Sequence, residues 1–152
     1  MKTLFLALAV ALLSFTSAFA QSPTVSTYLE QTKMGAKLGY TVGVTFKNQY
    51  QLGGFYQKDI SNGDGAENVP RHLIYEQEFY GVYFSAPLKS GEKFGLSTQV
   101  RTGVTNGENF TITPSLLGSY RPVKFISLNA GLGIRAFRPT AIAGISLRLS
   151  AL

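Results

Sequence analysis

The chain has 152 residues, with 14 Lys plus Arg against 8 Asp plus Glu and a formal net charge of +6. Only 14% of it is charged, against the ~25% usual for soluble domains. The absence of cysteine excludes a disulfide scaffold, a thiolate metal site and a lipid anchor on cysteine.

The first twenty residues read as a leader rather than as part of a fold. Lys2 gives a positive start, Leu4 to Phe15 an apolar run, and Ala18-Phe19-Ala20 a small-x-small cleavage site. The run is short for a membrane-anchoring helix, so cleavage after Ala20 is expected, with residues 1–20 as signal peptide and 21–152 as one domain. Removing Lys2 leaves thirteen basic residues against eight acidic ones, a net charge of +5. Sixteen glycines, eleven Phe and eight Tyr favour strands over helices. No later apolar run is long enough for a transmembrane helix, but a closed barrel can also span a bilayer.

The remaining chain alternates with period two, the signature of strands with two different faces. Pro23 to Glu30 is the poorest case, with Val25, Thr27 and Leu29 against Ser26, Tyr28 and Glu30. Ala36 to Phe46 sets Leu38, Tyr40, Val42 and Val44 against Lys37, Gly39, Thr41 and Gly43. Tyr50 to Lys58, Glu78 to Leu88 and Phe94 to Val104 continue the pattern, the last one reading FGLSTQVRTGV. Phe110 to Tyr120, Ile126 to Arg135 and Ala141 to Ala151 complete it. Pro114 interrupts the sixth of these, because proline cannot donate to a sheet ladder, and a bulge is expected there.

The connections alternate in character. Lys47-Asn48-Gln49, Lys89 to Lys93 and Arg121 to Lys124 are short and basic, whereas Asp59 to Gln77 is long. Thr105 to Asn109 and Ala136 to Pro139 join the same side as the long one. Outer-membrane barrels pair short periplasmic turns with longer outer loops, which places Asp59 to Gln77 outside. The strand from Ala36 then runs inward, so an earlier strand must carry the chain outward, and only Pro23 to Glu30 is available. Parity therefore demands an eighth strand that local patterning barely supports.

Soluble barrels also have period-two strands, but their less apolar face meets water. Here that face is Gly, Ser, Thr, Asn and Gln, which suits the interior of a small barrel. Phe46, Tyr50, Phe94 and Tyr120 fall at one end of their strands and Tyr56, Tyr80 and Phe110 at the other. Two such girdles mark the two interfaces of a bilayer. The expected fold class is an all-β transmembrane antiparallel up-and-down barrel of eight strands.

On this pattern and length, residues 23 to 152 resemble the small eight-stranded bacterial outer-membrane barrels, the class that includes the OmpA membrane domain and OmpX. The glycine-rich strands and the closing run Gly144 to Leu149 look like barrel proteins common in Bacteroidetes. Such barrels usually end in an aromatic residue that assists assembly, whereas this sequence ends Ser150-Ala151-Leu152. The resemblance implies an outer-membrane address in a Gram-negative bacterium. It also implies contact with lipid including lipopolysaccharide, and insertion by the outer-membrane assembly machinery.

Residues able to carry chemistry are few. His72 is the sole histidine, with Glu76 and Glu78 nearby but no serine in the same stretch. A lipid A deacylase barrel needs a His-x-Ser on a late strand, and the late strands lack histidine, so no enzyme is expected. Asn62-Gly63-Asp64-Gly65 resembles a calcium loop, but alignment puts Ile60 and Arg71 where acids are required, and turn formation explains the run. No cofactor, metal or nucleic-acid partner is indicated, and no protein partner is identified.

The bases Lys37, Arg101, Arg135 and Arg148 fall on the predicted interior face, with Lys37, Arg101 and Arg135 converging on its outer half. Unpaired interior charge is costly. Glu30 and Asp59 are the best partners, and Asp64 and Glu67 serve if the long loop folds inward. This charge cluster either attracts an anion or the phosphates of lipopolysaccharide, or forms an internal Arg–carboxylate network that plugs the barrel. Asp64, Glu67, Arg71, His72 and Tyr75 make the long loop a candidate recognition surface. The function expected is non-enzymatic, structural or in surface interaction. A narrow pore for small polar or anionic solutes is second, and a soluble periplasmic ligand-binding barrel third.

Overall fold

The structure, a computed structural model, describes residues 22–33, 35–46, 49–60 and 78–149. The expected leader, and the loop residues Asp64, Glu67, Arg71, His72 and Tyr75, lie outside the described residues.

Eight strands close into one barrel: β1 (Ser22–Thr32), β2 (Gly35–Thr45), β3 (Gln51–Asp59), β4 (Glu78–Ser90), β5 (Phe94–Thr105), β6 (Asn109–Val123), β7 (Ile126–Arg135) and β8 (Arg138–Arg148). Each pairs antiparallel with its sequence neighbours, and β1 closes the ring on β8 from Thr24↔Arg148 to Gln31↔Ala141. The strand demanded by parity therefore exists, and it is longer than its pattern suggested. Its inward residues Thr24, Tyr28 and Glu30 are buried, while Val25 and Leu29 face out. A tyrosine and a glutamate on the inner face are what blurred the alternation.

One end of the barrel carries the connections β1–β2, β3–β4, β5–β6 and β7–β8, and is called here the loop end. The other, the terminus end, carries the start of β1, the end of β8 and the remaining turns. The β7–β8 connection is tighter than expected. Ala136 and Phe137 alone form it, both with positive φ (47° and 60°), so Arg138 and Pro139 belong to β8. Two central residues in this region are the mark of a hairpin turn whose twist matches its strands, a geometry that favours Asn-Gly over Ala-Phe.

The bulge expected at Pro114 is not there. Pro114 faces Val100 in an unbroken β5–β6 register, and the β6–β7 ladder starts one residue later, at Ser115↔Gly133. The Pro114 carbonyl points toward Gly133. The N and O of one strand residue share a side, so the missing donor falls beyond the end of that ladder. The register shifts instead between Pro87 and Lys89 in β4 and between Tyr120 and Val123 in β6. The second one extends β6 through part of the expected Arg121 to Lys124 turn.

The outward face is apolar through its middle, with Val42, Leu52, Val82, Ile112, Leu116, Leu132 and Ile145 all exposed. Toward the loop end Tyr40, Tyr56 and Tyr80 line up across β2, β3 and β4. Toward the terminus end Phe94 stacks on Tyr120 at 5.0 Å and Tyr50 on Phe84 at 6.0 Å. In water a continuous apolar belt of this size would drive association. Between two aromatic rows it matches the thickness profile of a bilayer.

Inside, large side chains lie over glycines. Tyr28 stands directly opposite Gly39 on β2 and Gly144 on β8, and a Cβ on Gly39 would sit 2.2 Å from the Tyr28 ring. Tyr83 lies against Gly43 and Gly53 in the same way. Glycine on the inner face is thus the space into which a few aromatic rings fold.

Candidate functional site

The loop half of the lumen is built around Glu30. It projects inward from β1, and its side chain is 0% exposed. Gln57 from β3 donates its amide to Glu30 Oε2 at 2.6 Å. Arg101 from β5 brings Nη1 to 3.1 Å from the same oxygen, and Arg135 from β7 brings Nη1 to 3.5 Å. One carboxylate thus ties four strands together across the barrel. Arg135 also donates to Gln57 Oε1 at 2.6 Å, and Arg101 to the Tyr28 hydroxyl at 2.8 Å.

Among the described residues two guanidiniums share one carboxylate, which concentrates positive charge in a dry place. Aromatic faces absorb part of it. The Arg101 guanidinium lies 5.0 Å from the Tyr28 ring centroid, and that of Arg135 lies 4.4 Å from the Phe79 ring. Such contacts strengthen when desolvated. Phe79 in turn meets Phe55 edge-on at 4.6 Å, and with Tyr83 these form a buried aromatic cluster. Sharing a carboxylate in this way compensates charges whose desolvation would otherwise cost several kcal/mol each.

The sequence-predicted residues separate into three places. Glu30, Arg101 and Arg135 meet in the network just described. Lys37 and Asp59 face one another across β2 and β3, with Nζ 4.0 Å from Oδ2, and form a second pair at the loop end. Arg148 does not join them. It pairs with Thr24 near the terminus end and lines a separate cavity there. The loop residues Asp64, Glu67, Arg71, His72 and Tyr75 are outside the described residues.

Sequence reasoning missed Gln57, Tyr28 and Phe79. Gln57 bridges the acid to Arg135, and the two rings flank the guanidiniums. Their inward parity was readable, because each sits an even number of residues from a known inward neighbour on its strand. Which inward residues share a level was not readable, since that depends on the stagger of the closed barrel.

Chemically the arrangement is a brace. Its donors face a carboxylate, and its members Glu30, Gln57, Arg101, Arg135 and Tyr28 include no serine, threonine or histidine. Among the described residues no group of three or more His, Cys, Asp or Glu is placed to hold a metal. The loop half of the lumen is filled by Arg101, Glu30, Gln57, Phe79 and Tyr83, all at most 1% exposed. Serines, threonines and amides line the terminus half, around a cavity of about 110 Å³.

No protein-family model and no curated protein matches the sequence. The fold has solved counterparts. A de novo designed transmembrane β-barrel superposes with a TM-score of 0.62 at 12% identity, over 84% of this chain and 95% of that one. The outer membrane protein Ail of Yersinia pestis, whose structure was determined in a phospholipid bilayer nanodisc, superposes with a TM-score of 0.50 at 14% identity. That match covers 84% of this chain and 99% of Ail. The chain therefore has the fold of the eight-stranded transmembrane barrels.

Proposed function

We propose that this chain is a non-enzymatic outer-membrane barrel with a closed lumen, serving as a rigid membrane element that displays its β3–β4 connection at the cell surface. The observation that carries the closed-lumen reading is the Arg101–Glu30–Arg135 brace, in which every side chain is at most 3% exposed. A solute passing along the axis would have to displace an ion triad and the aromatic cluster beside it. The apolar exterior between two aromatic rows supports the membrane address, as does the fold shared with transmembrane barrels. In this reading the terminus end faces the periplasm after export by a leader cleaved at Ala20. The outer aromatic row meets lipopolysaccharide, and insertion depends on the outer-membrane assembly machinery. Surface recognition falls to the segment holding Asp64, Glu67, Arg71, His72 and Tyr75.

Two measurements test this. The protein should fractionate with outer membranes, and recovery in the soluble periplasmic fraction would select the soluble-barrel reading. Purified barrel in planar bilayers should show no sustained conductance. A steady open level in ordinary salt would overturn the closed-lumen reading in favour of a narrow pore.

A further inference from the structure

The cavity at the terminus end has a composition unlike that of the brace. No Asp or Glu lines it, while Lys89, Arg121, Lys124 and Arg148 do. Arg121 stands two residues beyond the cavity-lining Ser119 on β6, so strand alternation turns it to the same face. Arg121 and Pro122 together stand opposite the single residue Ser127. Arg121 is turned inward, held by a hydrogen bond from Nη2 to the Gly91 carbonyl at 2.7 Å. Its Nε is buried and has no partner among the described residues. Arg148 projects into the same space from β8, within electrostatic reach of Arg121. Among the described residues its guanidinium has no carboxylate partner.

Two cations facing one another with no acid between them repel, and an anion relieves the repulsion. The wall beside Arg148, formed by β7, β8 and β1, is polar and already ordered. Asn129 donates to the Ser146 hydroxyl at 2.7 Å, and Ser26 donates to the same hydroxyl at 2.9 Å. The cavity is open to solvent at the terminus end and closed above by Tyr28 and Leu117. About 110 Å³ accommodates a tetrahedral oxyanion with a few attached atoms. The guanidinium fork of arginine matches that geometry with paired donors.

We propose that this vestibule is a binding site for a phosphate-bearing small molecule. Arg121 and Arg148 hold the phosphate, and the Ser26–Ser146–Asn129 wall faces its hydroxylated remainder. The site belongs to the barrel fold alone and does not depend on the membrane address or on the closed lumen.

The test is calorimetric titration of the full-length barrel, refolded in an uncharged detergent, with inorganic phosphate, glycerol 1-phosphate and, as neutral control, glycerol. Both phosphates are expected to bind, glycerol 1-phosphate more tightly, and glycerol not at all. Arg148→Gln should weaken phosphate binding by about tenfold or more, whereas Arg138→Gln at the far end should leave it unchanged. Binding of inorganic phosphate alone, with no gain from the glycerol moiety, would reduce the site to a simple anion trap and overturn the assignment of the serine wall. No binding at millimolar phosphate, or equal binding by Arg148→Gln and wild type, would overturn the whole proposal. If Arg148→Gln fails to fold, amide NMR of the wild-type barrel decides: phosphate must perturb Ser146 and Asn129, and shifts confined to the loop end refute the site.

Discussion

Replacing Glu30 by Gln is the sharpest probe of the brace. Glutamine keeps the shape of the side chain, and its amide oxygen can still accept from Gln57, which now donates at 2.6 Å. What disappears is the negative charge that two guanidiniums share at 3.1 and 3.5 Å. Removing one partner of a buried ion pair costs about 3–5 kcal/mol, because the surviving charge stays desolvated. The retained hydrogen bond puts the expected loss at the lower edge, about 3 kcal/mol. With a urea m-value of about 2 kcal/mol/M, the unfolding midpoint should fall by about 1.5 M. The assay is urea unfolding from phospholipid vesicles followed by far-ultraviolet circular dichroism, a suitable probe for a chain without tryptophan. Adding Arg135→Gln to Glu30→Gln removes one of the two charges that had shared the carboxylate. The double variant should therefore be at least about 1 kcal/mol more stable than the sum of the single losses predicts. A midpoint shift below about 0.3 M, or strict additivity, would show that the carboxylate and the guanidiniums do not support each other, and the brace would fail as an explanation of the closed lumen.

Gly39→Ala places a Cβ 2.2 Å from the Tyr28 ring and should cost about 1–3 kcal/mol by overpacking. Combined with Tyr28→Ala the two losses should be less than additive, and full additivity would mean that the ring does not occupy the space over Gly39. Leu116→Arg, at the centre of β6 on the exposed outer face, should destabilise the barrel in bilayers by about 2–4 kcal/mol. A neutral result in vesicles would contradict a lipid-facing position. Ala136→Asn with Phe137→Gly supplies the residues that the observed positive φ angles favour, and should stabilise the hairpin by about 1 kcal/mol. A lower midpoint would mean that Phe137 makes a contact more valuable than the strain it carries.

The architecture was legible because a barrel writes itself into sequence twice, once as period-two alternation and once as topological parity. β1 shows the division of labour. Its own residues gave a weak pattern, since Tyr28 and Glu30 stand where small polar side chains were expected. The requirement for an even strand count located it regardless. Pro114 shows a local rule failing. Proline's missing donor harms a sheet only where a partner strand waits for it, and β7 has already ended its ladder at that point. The Ala136-Phe137 turn uses residue types that turn rules do not favour, whereas the β6 bulge holds Pro122 and the β4 bulge follows Pro87, proline being suited to bulges.

Within the site, the inner-face bases and the convergence of Lys37, Arg101 and Arg135 on one half could be read from parity and strand direction, but their contacts could not. Arg148, the last residue of β8, falls at the other end by strand direction alone. The stagger of the closed ring then brings Arg101 and Arg135 onto Glu30. Side-chain size then settles what each half of the lumen can do. The inward positions of the loop half carry Lys37, Phe55, Gln57, Phe79, Tyr83, Arg101 and Arg135, all buried. Those of the terminus half carry Thr24, Ser26, Gln51, Ser97, Ser127 and Ser146, most of which border open space. Long side chains fill an eight-stranded ring, whereas serines leave room for a ligand. Under the closed-lumen proposal, such a barrel is shut at its loop end by charge and aromatic rings and is polar and open at the other. On that proposal, solvent exchanges through the terminus end without a leak across the barrel.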